Sequence, residues 1–254
     1  MVHDTGNNNG FAIGSLFDRI AGTYDRLNHL LSLNIDRRWR RRAVQEIGRE
    51  VERQRGGEVL DVAIGTADLT IEILRQGKAD RVIGLDVSQQ MMAIGQQKVQ
   101  KAGYADKVRF DYGSALEMPY QDNTFDAVTC AYGVRNFANL QQGLREMCRV
   151  LKPGGEVVIL EFSYPTNPLV KACYNLYFNH LLPLIGRALS HDKTAYRYLN
   201  TSVQGFPYGQ AMVKHMKQAG FQHVTFRPLS FGITTIYHAY TSLSTDTIPL
   251  VRGE

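Results

Sequence analysis

Apolar positions recur along the chain with two periods, and the switches between them predict the order of its elements. Trp39, Ala43, Val44, Ile47 and Val51 fall at helical spacing, which predicts an amphipathic helix over 37–53. After Gly56-Gly57 the pattern changes. Residues 58–63 read as a strand, 67–76 as a helix and 81–87 as a second strand, with Ser88 placed to cap a helix that runs to about 102. Further strands are predicted at 108–113 and 125–132. A helix over 140–151 is stopped by Lys152-Pro153-Gly154-Gly155, and a fifth strand follows over 157–163. Strands alternating with helices build parallel units of a doubly wound α/β sheet. A helical insert within 165–205 and a helix over 209–219 precede two last runs, 224–228 and 234–242. Only 229–233 separates those runs, too short for a parallel crossover, so they must pair as an antiparallel hairpin. The expected sheet has seven strands and is mostly parallel.

The length, 254 residues, fits one such domain with decorations. The Gly/Asn-rich stretch 1–14 is expected to be a flexible arm, 15–254 the single domain, and 15–55 a helical lid over it. The content of 44% hydrophobic and 21% charged residues is that of a globular chain. A net charge of +5 favours anionic surfaces without choosing among membrane, nucleic acid and acidic ligand. Cys130, Cys148 and Cys173 show neither CxxC pairing nor metal spacing, so a reducing cytoplasm is expected and a metal site is not. The most apolar stretch, 169–185, is interrupted by Lys171, Asn175, Asn179, His180 and Pro183 and is too short to span a bilayer comfortably.

The first strand runs into Asp61-Val62-Ala63-Ile64-Gly65-Thr66-Ala67-Asp68. A glycine at that strand-to-helix turn lets backbone approach a ligand at the carboxyl edge of the sheet. The second strand ends in Asp86, whose carboxylate can accept both hydroxyls of a ribose. NAD and S-adenosyl-L-methionine sites share these features. The dinucleotide pattern GxGxxG would need glycines at 63 and 68, where Ala63 and Asp68 stand, so a pyrophosphate lacks its cradle. S-adenosylmethionine has no phosphate. Gly113-Ser114-Ala115 after the third strand are placed to flank an adenine, Leu116, Met118 and Pro119 to cover it, and Ala131 closes the fourth strand beside it. The expected cofactor set is therefore Asp61, Gly65, Thr66, Asp86, Ser114, Ala115 and Ala131.

Tyr24-Asp25-Arg26-Leu27-Asn28, then Ser32, then Asp36-Arg37-Arg38-Trp39-Arg40 together resemble the N-terminal signature of the menaquinone/ubiquinone C-methyltransferase family. Arg149-Val150-Leu151-Lys152-Pro153-Gly154-Gly155, continuing to Glu161-Phe162-Ser163, resembles its second signature. Between them, Phe125-Asp126-Ala127-Val128 and Tyr132-Gly133-Val134-Arg135-Asn136-Phe137 also match. The resemblance covers about 17–240. It implies the Rossmann-like class I methyltransferase fold and cofactor contacts at Thr66, Asp86, Ser114 and Ala115. It also implies methyl transfer to a ring carbon of a reduced polyprenylated quinone, demethylmenaquinol foremost, with a phylloquinone or ubiquinone precursor as the alternative. The chain departs from the family pattern at Ala67, where glycine is usual, at Asp36, where histidine is frequent, and at Leu27, where methionine is frequent.

A methyl sulfonium is already activated, so transfer needs alignment and an electron-rich acceptor carbon rather than a metal. A quinol provides that carbon once a hydroxyl gives up its proton, and a guanidinium stabilises the resulting oxyanion. Arg135, just after the fourth strand, and Asn136 beside it are the expected catalytic pair; the competing reading of Arg135 is an ion pair with Glu161 or Asp61. Tyr24 and Asn28 are substrate or lid candidates, or plain packing residues. His191-Asp192 reads as a base with its orienting acid or as a surface turn, and His180 shares that insert. Cys130 reads as a small strand hydrophobe.

Arg37-Arg38-Trp39-Arg40-Arg41-Arg42 reads either as a solvated helix face or as a patch for peripheral membrane contact, arginines on headgroups and Trp39 at the apolar boundary. Tyr174, Leu176, Tyr177, Phe178, Leu181 and Leu182 could line a channel for an isoprenoid tail or form a packed helix. An RNA or DNA methyltransferase would ordinarily carry NPPY or DPPY after strand four, where Ala131-Tyr132-Gly133-Val134 stands, so no nucleic-acid partner is expected. A homo-oligomer stays open.

Overall fold

The computed structural model describes residues 14, 15, 17–19, 21, 22, 25, 32, 34–48, 57–177, 202, 203 and 205–243. Helix α1 (Ile35–Glu46) leads into β1 (Glu58–Val62), α2 (Asp68–Arg75), β2 (Arg81–Asp86), α3 (Gln89–Lys101), β3 (Val108–Tyr112) and β4 (Phe125–Ala131). A 3-10 turn at Val134–Asn136 precedes α4 (Leu140–Val150), β5 (Leu151–Phe162), α5 (Pro168–Leu176), α6 (Gln210–Gln218), β6 (Gln222–Leu229) and β7 (Thr234–Tyr240). The seven strands form one sheet in the order β3-β2-β1-β4-β5-β7-β6. β1 through β5 pair in parallel, whereas β7 pairs antiparallel with both β5 and β6, as the short connection between the last two runs requires.

Strand alternation divides the core between the two faces. Leu60, Val62, Val128, Cys130, Val157 and Ile159 point to the face covered by α4 and α6, where Leu144, Met147, Met212 and Met216 meet them. Val59, Ala127, Val158 and Leu160 point to the face covered by α1 and α2. The carboxyl ends of the parallel strands share one edge, and the order reverses between β1 and β4. That is where an open α/β sheet presents a crevice.

Three sequence expectations change. The first helix stops at Glu46 rather than running to 53, because Ile47 is extended and Gly48 takes φ 70°. Gly48 donates its amide to Glu156 Oε1 at 2.8 Å, so the chain end of α1 is tied to β5. The fifth strand starts at Leu151, not 157: Gly154 turns left-handed at φ 71°, and its amide reaches Ser242 O at 3.1 Å, so Lys152–Gly155 bends the strand instead of breaking it. Trp39 is not available to a membrane boundary. Helical spacing puts Asp36, Trp39, Arg40 and Ala43 on one buried face, with Trp39 Nε1 donating to Ser230 Oγ at 2.8 Å and its ring edge-on to Phe162. Arg37, Arg38, Arg41 and Arg42 remain exposed on the opposite face.

Of the expected insert, α5 is described and Phe178, Leu181 and Leu182 lie outside the described residues. Tyr174 is buried edge-on to Tyr164, while Leu176 is exposed. No helix among the described residues is long and apolar enough to cross a membrane.

Gly84 in β2 fixes how closely the strand approaches the first turn. A Cβ there would stand 2.1 Å from Ile64 Cδ1 and 3.0 Å from Ile64 Cβ. Gly84→Ala is therefore expected to lose about 1–3 kcal/mol through overpacking, read as a lower urea midpoint. An unchanged midpoint would show that this approach is not tight.

Candidate active site

The turn between β1 and α2 is wound tightly. Ala63, Gly65 and Ala67 take φ of 55°, 53° and 65°. For an alanine that conformation costs roughly 1–2 kcal/mol, so surrounding contacts must hold it. Gly65 donates its amide to Asp86 Oδ2 at 2.8 Å, and Ile64 donates to Leu85 O at 3.1 Å. The methyl of Ala67 packs into the core with Ile64, Met92 and Val99. It fits because α3 carries Gly95 opposite, where a Cβ would lie 3.3 Å from the Ala67 Cβ and 3.1 Å from Gly65 O. The departure from glycine at this position therefore faces the core.

Asp86 closes β2 and serves both neighbours. Besides Gly65, it accepts the amide of Ser88 through Oδ1 at 2.8 Å. Ser88 is the predicted cap of α3, its Oγ accepting from Met91 N at 3.2 Å. Desolvation pushes the Asp86 carboxyl up to about 6, against the pull of the Ser88 and Gly65 amides.

Above this floor lies a pocket of about 730 Å³, open solvent at its mouth included. Gly65, Asp86, Ser114, Ala115, Ala131 and Asn136 all line it, together with Phe17, Leu85, Val87, Met91, Leu116 and Phe137. Ser114 Oγ accepts from Leu116 N at 3.1 Å, which shapes the loop after β3. Met118 belongs to the core rather than the pocket wall.

Asp61 and Thr66 do not line the pocket. Asp61 is buried beneath the turn, where Thr70 Oγ1 and Thr129 Oγ1 donate to its two oxygens at 2.6 and 2.9 Å. Burial pushes its carboxyl up to about 6, against the pull of both hydroxyls. Thr66 Oγ1 turns away to donate to Asp25 Oδ1 at 2.6 Å.

Arg135 forms the ion pair that the sequence left open. Its Nη1 donates to Glu161 Oε1 at 2.6 Å and to Tyr132 O at 2.6 Å, with both charged side chains almost wholly buried. Glu161 also accepts the Arg135 and Phe162 amides. The guanidinium lies over the Phe162 ring, on which Tyr132 stacks at 4.4 Å. Asn136 Nδ2 shares the Tyr132 carbonyl at 3.4 Å. These bonds hold Tyr132 at φ 59°, a strained geometry for a bulky residue.

A second groove, of about 860 Å³, is lined by Arg135, Leu140, Phe206 and their neighbours. Phe137 and Ala138 line both spaces, so one loop is their common wall. Gly143 on α4 makes room for that wall, since a Cβ there would lie 2.4 Å from the Phe137 ring.

Sequence reasoning missed how Asp18 and Asp25 reach the sheet edge. Asp18 Oδ1 accepts from Ser88 Oγ at 2.6 Å and Gln90 N at 3.1 Å, beside Phe17 on the pocket. Their partners lie far along the chain, where no periodicity points. Met91 had a readable signal, one turn into a helix whose cap adjoins Asp86. Tyr24, Asn28, His180, His191 and Asp192 lie outside the described residues. Cys130 is buried, and burial pushes its thiol up, so it is not poised as a nucleophile. Among the described residues no group of three or more His, Cys, Asp or Glu could hold a metal ion.

The ubiE/COQ5 methyltransferase family matches this chain over residues 4–241. The chain belongs to that family. Its relatives include the demethylmenaquinone methyltransferase of Bacteroides fragilis, 41% identical across 89% of this chain and 91% of that protein. The ubiquinone/menaquinone biosynthesis C-methyltransferase UbiE of Geobacter sulfurreducens is 45% identical across 90% and 88%. Among solved structures, the cyclase SpnF superposes with a TM-score of 0.60 at 18% identity, covering 80% of this chain and 81% of that one. The phosphoethanolamine N-methyltransferase 2 of Haemonchus contortus, in complex with S-adenosyl-L-methionine, superposes at 0.58 and 14%, covering 79% and 52%. A cyclase and an N-methyltransferase on one class I fold show that the sheet does not dictate the reaction. Membership of the ubiE/COQ5 family makes this chain a methyltransferase.

The buried Arg135–Glu161 pair generates a stability prediction for this family member. Glu161→Ala strands a buried guanidinium and is expected to cost about 3–5 kcal/mol of unfolding free energy in urea. A loss below about 1 kcal/mol would mean that the pair is open to solvent.

Proposed function

We propose that this chain transfers the methyl group of S-adenosyl-L-methionine to a ring carbon of a reduced polyprenylated quinone, demethylmenaquinol foremost. The observation that carries the reading is the pair of adjoining spaces, one floored by Asp86 and the other bordered by Arg135. The donor set of the first fits a nucleoside without phosphates. Asp86 offers a carboxylate with acceptor capacity beyond its two amide bonds, apolar Leu85, Met91 and Leu116 offer cover, and Ala63 and Asp68 replace the glycines of a pyrophosphate cradle. Asp86 would accept from the ribose, Ser114 and Ala115 would flank the adenine, and Gly65 would admit close backbone approach. The bound group supplies an electrophilic methyl on sulfur. The relatives' names support the quinone.

The groove beside Arg135 takes the quinol ring, with apolar Phe206 and Leu140 toward its tail. A phenolic proton leaves with an unperturbed pKa of about 10, so the ring needs help to become electron-rich at neutral pH. Arg135 gives that help as an oriented donor. Glu161 offsets its net charge but fixes the guanidinium plane, so a developing oxyanion meets a prepaid geometry. Asn136, on the same carbonyl as Arg135, lines the cofactor pocket, and it would meet the ring oxygen or the water that takes its proton where the ring reaches past Phe137 into that pocket. The exposed arginines of α1 bring the enzyme to an anionic membrane where such a substrate resides, with about 1 kcal/mol gained per basic residue near the surface.

Oxidation state tests the mechanism. An oxidised ring has lost the lone-pair donation that makes its carbon nucleophilic, so methylation is expected with anaerobically reduced demethylmenaquinone and not with the oxidised form. Comparable rates with oxidised quinone would overturn the carbon-nucleophile reading.

The pH dependence of cofactor binding tests Asp86. The ribose is accepted by the ionised carboxylate, so affinity for S-adenosylhomocysteine is expected to be full above about pH 6 and to fall as pH drops through it. The free protein moves the opposite way. Between the ordinary value of 3.8 and about 6 the folded Asp86 holds more protons than the unfolded, so this residue adds stability as pH falls. Calorimetry giving one dissociation constant from pH 5 to pH 8 would exclude the ribose contact.

A further inference from the structure

Lys98, near the end of α3, lies outside the pocket and outside every motif discussed above. Its ammonium carries three N–H donors, and three acceptors surround it, two from the turn after β1 and one from the N-terminal segment. These are Asp25 Oδ2 at 2.8 Å, Thr66 Oγ1 at 3.2 Å and Asp68 Oδ1 in close contact. Thr66 Oγ1 donates to the other oxygen of Asp25 at 2.6 Å, which closes a ring of three groups. From Asp68 the charges continue to Arg40 at 3.5 Å and on to Asp36, which Ser32 Oγ meets at 2.6 Å. The signs alternate from Asp25 through Lys98, Asp68 and Arg40 to Asp36. Lys98 and Asp25 are each only 26% exposed, so solvent screens the pair less than a surface bridge.

The placement of this cluster gives it a task. Thr66 and Asp68 flank Ala67, the left-handed alanine, and follow directly on Gly65, whose amide binds Asp86 on the pocket floor. Lys98 therefore grips the back of the turn whose front lines the pocket. The same ammonium holds Asp25, eight positions after Phe17, which lines the pocket. Asp25 and Arg40 belong to the N-terminal signature, and Asp36, where this chain departs from the family pattern, ends the same chain of charges.

We propose that Lys98 is a positioning residue that couples docking of the N-terminal segment, through Asp25, to the shape of the cofactor turn. Cofactor and segment then strengthen one another, because a coupling free energy between two sites is reciprocal. The inference rests on the reading of the pocket as an S-adenosylmethionine site.

The test uses the full chain and S-adenosylhomocysteine as the probe. In calorimetry, Lys98→Met is expected to weaken binding about tenfold and Asp25→Asn by a similar factor. The double variant should bind within about twofold of either single one, since both break the same link. Lys98→Arg, which keeps the cation, should stay within about threefold of the parent. Tryptic cleavage after Arg19 should slow when the probe is added to the parent protein, and the slowing should vanish in Lys98→Met. A parent-like dissociation constant for Lys98→Met would overturn the proposal, as would single losses that multiply in the double variant. A merely structural lysine would lower thermal stability without that coupling. If Lys98→Met fails to fold, Asp25→Asn with probe-dependent cleavage decides by the same criteria. A parent protein that binds no probe would instead overturn the reading of the pocket.

Discussion

The carboxylate of Asp86 accepts one amide from the first turn and one from the start of α3, and the carboxyl edge of the sheet is organised around those two bonds. The turn after β1, the end of β2 and the start of α3 meet there, and in the turn Gly65 and Ala67 have their amides committed to Asp86 Oδ2 and Ile64 O. The same desolvation that gives the bonds their strength makes the charge costly, so the carboxyl is pushed up to about 6. A group in that condition gains from any further donor that reaches it. A ribose with two adjacent hydroxyls is such a donor.

The opposite side of the crevice depends on a second buried charge. Glu161 gathers the Arg135 guanidinium and two backbone amides, and Arg135 in turn holds the carbonyl of strained Tyr132. The loop that follows is thereby fixed as a thin wall, with Phe137 and Ala138 exposed to both spaces. Direct transfer needs the sulfonium methyl and the acceptor carbon within about 3–3.5 Å, so the ring has to reach past this wall into the cofactor pocket. Ion pairing and a catalytic role for Arg135 are compatible on this geometry, since the pair orients the donor instead of withdrawing it from the groove's lining.

Local signals in the sequence carried much of this. The serine cap at 88 and the short gap before the last strand each have one physical meaning, and the structure has Ser88 capping α3 and β7 antiparallel to β6. Where local rules compete, the reading slipped. Pro153 and Gly154-Gly155 signal the end of one element before the next begins, whereas β5 pairs with β4 on both sides of them, at Leu151 and again from Glu156, across a shift in register. Trp39 carries an aromatic signal that suits either an interface or a core, and only packing against Phe162 decides it. Asp61 and Thr66 belong to the motif next to the pocket, yet their side chains face its support. The bond from Lys98 to Asp25 had no signal at all, because an ion pair across 73 positions leaves no period in the chain.

The central claim is that a ring carbon, not a hydroxyl oxygen, receives the methyl group. Its most direct measurement is the fate of an isotopically labelled methyl from S-adenosylmethionine after anaerobic turnover with demethylmenaquinol, followed by admission of air. A C-methylated quinol retains both hydroxyls and reoxidises, so the account predicts label in a product that has become a quinone. Label confined to a product that resists reoxidation, as a methyl ether does, would contradict it.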